Sequence, residues 1–89
     1  MHHDLFAGPA DLAAVTRVLR TVLERPDLEP HLQTPLEDIS GWDSMRQVAV
    51  VVELEARSGL TLEPAEVEAV HTVGDLVRLI GAKRALDGV

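Results

Sequence analysis

Three prolines, Pro26, Pro30 and Pro35, lie between two stretches of helical periodicity and forbid one helix from running through the segment that joins them. Before them, Leu12, Val15, Leu19, Val22 and Leu23 recur at helical spacing, with Asp11 in the first turn where the helix dipole favours an acid. The spacing predicts a helix from Ala10 to about Glu24, preceded by a Gly8-Pro9 breaker and closed by Pro26. The proline-bearing segment, residues 25–42, has no sustained period. Connections beyond about 12–15 residues are uncommon in compact domains and often functional. This one is studded with Leu28, Leu32, Leu36, Ile39 and Trp42, so it should pack across the ends of helices and contain one short helical turn.

Met45 to Arg57 is the next uninterrupted stretch. Its Val48-Ala49-Val50-Val51-Val52 run favours a strand by β-branching, but length and the Glu53-Leu54-Glu55-Ala56-Arg57 end favour a helix that stops at Ser58-Gly59. Leu60-Thr61-Leu62 reads as a short extended connection. Pro64 suits the first turn of a short helix reaching about Ala69. Thr72 and Asp75 form a capping-box variant ahead of Val73, Leu76, Val77 and Ile80, with Lys83 and Arg84 near the end of that last helix. The expected fold is all-α: a four-helix bundle of three longer helices and one short one, with a long loop after the first. Its aliphatic core should draw on Leu12, Val15, Leu19, Val22, Val50, Val51, Leu54, Leu62, Val67, Val70, Leu76 and Ile80. With 89 residues there is room for one core, and the expected division is a lead over 1–9, a domain over 10–86 and a tail over 87–89.

Composition narrows the function classes. Phe6 and Trp42 are the aromatic residues, which leaves few rings to stack on bases or flavins. A formal charge of −7 opposes phosphate backbones and anionic lipid, so neither nucleic acid nor membrane is an expected partner. No cysteine is present, hence no thiolate nucleophile and no cysteine-based metal site. No apolar run approaches the ~18 residues of a membrane span. Met1-His2-His3-Asp4 lacks the features of a secretory signal, so a cytoplasmic location is expected. No spacing suggests a zinc or calcium site; His2 and His3 could bind copper or nickel weakly. Ser44 with His31 or His71 has no Gly-x-Ser-x-Gly elbow around it, and the chain is too small for a hydrolase cleft. His71 is expected to be structural or surface-exposed.

Gly41-Trp42-Asp43-Ser44-Met45 is the segment that stands out. Taken alone, Asp43 caps a helix, Ser44 follows in its first turn and Gly41 allows a tight approach. In its setting, after a long apolar-studded loop and opening a very apolar helix, the chain resembles the acyl carrier protein family. That family's signature is Asp-Ser-Leu or Asp-Ser-Met at the start of its second helix. The likeness extends through Glu53 and Glu55, the short acidic helix with Glu66 and Glu68, and Thr72-Val73 at the last helix, over about residues 10–86.

The resemblance implies that Ser44 receives 4′-phosphopantetheine from coenzyme A through a phosphopantetheinyl transferase, and that acyl groups ride as thioesters on that arm. The chain would then be a carrier and not an enzyme. Its partners would be the transferase and the acyl-loading and acyl-processing enzymes of a pathway, and a monomer is expected. A helix N-terminus suits the phosphodiester, and a chain without cysteine needs a thiol from elsewhere. Asp43 would serve transferase recognition as well as capping. Val50, Val51 and Leu54 should face the bundle. Met45, Val48, Ala49 and Val52 face another side, either covered by the long loop or left as a partner-docking strip with Glu53 and Glu55.

In one respect the chain departs from the family's fatty-acid members, which often carry acids in the first turns of this helix. Here Arg46 and Gln47 follow Met45, while Glu37, Asp38, Glu63, Glu66 and Glu68 lie before and after it. That departure, with Trp42 before Asp-Ser, points to a discrete carrier of a polyketide or mixed polyketide–peptide pathway. The alternatives are a peptidyl or aminoacyl carrier, whose members more often have Gly-x-Ser, and a helical interaction module in which Asp43 is only a cap.

Overall fold

Val15, Val18 and Leu19 are almost wholly buried on one face of the first helix, and this stripe is the axis around which the chain packs. The computed structural model describes residues 9–87. Among these the chain forms four α-helices and no strand: α1 (Pro9–Leu23), α2 (Ser44–Ser58), α3 (Pro64–Glu68) and α4 (Val73–Asp87). α1 packs against both α2 and α4. The lead expected over residues 1–9 lies outside the described residues except Pro9, which belongs to the first turn of α1 instead of breaking the chain ahead of it. Proline is tolerated there because the N–H it lacks would have had no acceptor.

α1 stops before Pro26. Glu24 takes a left-handed conformation at φ 55°, and the Arg25 N–H reaches back to the Arg20 carbonyl at 3.0 Å, closing the helix end. Arg20 Nε then donates to the Leu28 carbonyl at 2.7 Å and turns the chain into the long loop. That loop contains one 3-10 turn, Leu36–Asp38. Leu36 and Ile39 are buried in the core, while Leu28, Leu32 and Trp42 are half-buried against it. The loop is therefore a packed part of the bundle, as its apolar residues require.

Two backbone hydrogen bonds fasten the loop to the entry of α4. The Leu36 N–H donates to the His71 carbonyl, and the Val73 N–H to the Thr34 carbonyl, each at 2.9 Å, around an antiparallel bridge between Pro35 and Thr72. The capping box of α4 is present: the Asp75 N–H donates to Thr72 Oγ1 at 3.0 Å, and the Thr72 N–H to Asp75 Oδ2 at 3.1 Å. α3 has a capping box of its own, between Glu63 and Glu66. α2 ends on Gly59, whose φ of 76° no side-chain-bearing residue adopts readily.

Of the expected core, Val15, Leu19, Val50, Leu54, Leu62, Leu76 and Ile80 are buried. Leu12, Val22, Val51, Val67 and Val70 pack at its edge. The structure adds Val18, Leu36, Ile39, Leu60, Val73 and Val77. Two ion pairs tie helix ends together. Asp11 at the start of α1 is buried and pairs with Arg84 near the end of α4, and Lys83 Nζ lies 3.0 Å from Glu66 Oε1, joining α4 to α3. No helix among the described residues is long and apolar enough to cross a membrane.

Candidate functional site

Asp43 is extended at φ −155° and ends the long loop, and its Oδ1 accepts the Arg46 N–H at 2.8 Å. Its carbonyl takes the Gln47 N–H at 2.9 Å, the first bond of α2. Asp43 is thus the N-cap, and Ser44 is the first residue of the helix. By helix geometry the N–H groups of Ser44 and Met45 have no acceptor within the helix, so they leave a positive end beside the serine. Ser44 is exposed, as are Gly41 and Asp43 on either side of the half-buried Trp42. Gly41, at φ 91°, lets the loop turn into the motif, with nothing crowding its α-carbon. Trp42 is half-buried against the core and lines a small cavity with Leu36, Val50, Val51, Val67, Val70 and Leu76, which anchors the approach to α2.

The face of α2 away from the bundle is apolar and uncovered. Met45 is 74% exposed, Val48 62% and Val52 56%, and they are the large exposed apolar side chains among the described residues. The long loop packs elsewhere and leaves this strip open. Val50 and Leu54 face the core on the opposite side, with Val51 at its edge. Beside the strip, Val48, Val51 and Val52 of α2 and Pro64 and Val67 of α3 line an open groove of ≈ 290 Å³, floored by Leu62. The sequence signalled the strip but not the groove, because α3's position depends on tertiary contacts.

The acids expected on this strip are engaged within the fold. Glu53 Oε2 accepts from Arg57 Nε at 2.7 Å, and Glu55 Oε2 accepts the Leu62 N–H at 2.8 Å. The second contact holds the Leu60–Leu62 connection against α2. On α3, Glu68 lines the groove, whereas Glu66 is engaged within the fold: the Glu63 N–H and then the Lys83 ammonium hold its carboxyl below the usual carboxylate range. His31 and His71 are exposed, and neither hydrogen-bonds Ser44. No cluster of His, Asp and Glu among the described residues is arranged to hold a metal ion. His2 and His3 lie outside the described residues.

The chain matches the phosphopantetheine attachment site family over residues 13–80. It belongs to that family. Among solved structures, it is similar to the holo acyl carrier protein of Geobacter metallireducens, at 28% identity and a TM-score of 0.80, covering 86% of this chain and 88% of that one. It is also similar to the acetyl actinorhodin acyl carrier protein of Streptomyces coelicolor, at 25% identity and a TM-score of 0.69, covering 96% of this chain and 99% of that one.

The protein is accordingly a carrier and not a catalyst, and its prosthetic group is a covalently attached 4′-phosphopantetheine. The residues present fit that group. An exposed hydroxyl at a helix N-terminus meets the needs of a phosphodiester, and the arm brings the thiol that a chain without cysteine lacks. As a carrier it works with a phosphopantetheinyl transferase and with the enzymes of its pathway.

Proposed function

We propose that Ser44 is the attachment residue and that the protein presents acyl thioesters to the enzymes of a polyketide or related specialised pathway. The observation that carries this reading is the placement of an exposed serine at the first position of α2, directly after the capping Asp43. The Ser44 hydroxyl takes the phosphodiester, and the open N–H groups of the first turn face its negative charge. Asp43 orients the turn and offers its carboxylate to the transferase step. Met45, Val48 and Val52 form the docking strip beside the arm, with Glu53 and Glu55 toward its far end. Similarity to the actinorhodin carrier, together with Arg46 where many fatty-acid carriers hold an acid, supports the specialised pathway.

The test is intact mass after incubation with coenzyme A, magnesium and a broad-specificity phosphopantetheinyl transferase, with Ser44→Ala in parallel. A gain of one phosphopantetheine in the unaltered chain alone is expected. The same gain in Ser44→Ala would place the attachment elsewhere. Loading assays on the modified protein then separate cargoes, since acceptance of aminoacyl in preference to acyl groups would make it a peptidyl carrier.

A further inference from the structure

Ser44 stands at the head of the groove between α2 and α3. The α2 residues that line this groove are Gln47, Val48, Val51 and Val52. At 100° per residue, Gln47 projects about 60° to one side of Ser44, Val48 about 40° to the other, and Val51 within about 20° of it. Anything rooted on the Ser44 hydroxyl therefore starts on the groove's own face of the helix, one turn from Gln47.

Gln47 is the odd residue in that lining. It is half-buried, and it borders both the groove and the small cavity beside Trp42. Its backbone N–H is committed to the Asp43 carbonyl, but its side-chain amide makes no hydrogen bond among the described residues, nor is that amide sealed from solvent. A purely apolar occupant of the groove would strand its donor and its acceptor together. The phosphopantetheine arm has the chemistry to answer both. It alternates apolar pieces, a gem-dimethyl carbon and short methylene runs, with two amide groups. An amide offers its carbonyl to the Gln47 NH2 and its N–H to the Gln47 oxygen, whereas the exposed Glu68 carboxylate, the other polar side chain of the lining, only accepts.

We propose that the Gln47 side-chain amide pairs with an amide of the arm and so lays the arm along the groove, its apolar pieces against Val48, Val51 and Val67. This rests on the reading of Ser44 as the attachment residue. Gln47 is then a positioning residue for the prosthetic group. It keeps the arm on the carrier between encounters and yields it to a partner that offers more contacts. One net hydrogen bond suits that exchange, because it biases the arm toward the groove by only ~2- to 10-fold.

The composition makes the test clean. The chain has two glutamines and no asparagine, so isotope labelling of nitrogen gives side-chain NH2 signals from Gln47 and from the exposed Gln33 alone. Labelled protein is compared by nuclear magnetic resonance before and after modification by the broad-specificity transferase, with intact mass and Ser44→Ala in parallel. The Gln47 NH2 signals should move and show through-space contacts to protons of the arm, while those of Gln33 stay in place. In modified Gln47→Leu, the contacts between the arm and the valine methyls should weaken ~2- to 10-fold, with a melting curve to check the fold. Gln47 signals without a contact to the arm, or valine contacts undiminished in a folded Gln47→Leu, would overturn the proposal. Should that variant not fold, the Gln47 contacts in the unaltered protein decide alone. An arm attached to Ser44 but free of the groove removes this proposal and leaves the attachment reading intact. No mass gain, or an equal gain in Ser44→Ala, removes the attachment reading and the proposal with it.

Discussion

The carbonyl oxygen of Leu32 accepts the Gly74 N–H at 2.7 Å, which brings the middle of the long loop into contact with the first turn of α4. A Cβ added to Gly74 would lie 2.7 Å from that same oxygen and 3.3 Å from the Leu32 Cβ. The obstacle is backbone, which cannot swing aside as a side chain would. Gly74→Ala should therefore destabilise the protein by about 1–3 kcal/mol, read as a lower urea midpoint. An unchanged midpoint would mean that the loop yields freely at Leu32.

Opposite faces of α2 should respond oppositely to truncation. Leu54 is 3% exposed, and Leu54→Ala should cost about 2–5 kcal/mol in chemical unfolding. Val52 is uncovered, and Val52→Ser should stay within about 0.5 kcal/mol of the unaltered chain. The same Val52→Ser should slow modification of Ser44 if the strip docks the transferase. Equal stability losses at the two positions would contradict the orientation of α2.

Capping and modification can be separated at the two residues of the motif. Asp43→Ala removes the acceptor of the Arg46 N–H and should lose about 1 kcal/mol, whereas Asp43→Asn should retain most of it. Ser44→Ala should melt near the unaltered chain and gain no phosphopantetheine. A slowed transferase reaction in a fully stable Asp43→Asn would assign the carboxylate charge, beyond its cap, to that step.

Acid should loosen the protein through Asp75 and Glu66. The His71 N–H, with Arg78 and Thr72, holds the Asp75 carboxyl below its ordinary 3.8, and Glu66 is held below 4.5 by the Glu63 N–H and Lys83. Lowered carboxylates add stability that is complete above their ordinary values and disappears as pH falls through the lowered ones. Thermal midpoints should therefore fall as pH drops below about 4.5, and Asp75→Asn should flatten that fall. A midpoint insensitive to acid would exclude both contributions.

Elements whose stabilising partners are close in sequence were legible from sequence alone. The apolar spacing of α1, the Thr72–Asp75 cap and the Gly59 stop depend on neighbours within a few residues, and each is present. The motif was legible for the same reason, since Asp43 caps through a residue three positions on. Val18, Val73 and Val77 lie beside the expected core positions of α1 and α4 and are buried as well, because each helix buries a wider arc than a minimal apolar stripe. Leu36 and Ile39 belong to the loop whose apolar residues require packing, but without a period those residues cannot be ranked, so which of them reach the core is set by tertiary contacts. Glu55 and Lys83 show the deeper limit. A surface acid and a helix-end cation are what the pattern gives, yet their partners, the Leu62 N–H and Glu66, are set by how the elements meet.

The paired hydrogen bonds at Thr34–Val73 and Leu36–His71 bring together the two ends of the segment that bears α2 and α3. The chain leaves the α1–α4 pair and rejoins it at this bridge, with the inner face of α2 packed on α1 in between. Everything a pathway enzyme would touch under the reading above, from the serine to the strip and the groove, belongs to a single excursion stitched shut at its base. Substitutions at its outward positions need not disturb the frame. Such a carrier can change its clientele by rewriting one contiguous stretch of sequence, while α1 and α4 go on supplying the same foundation.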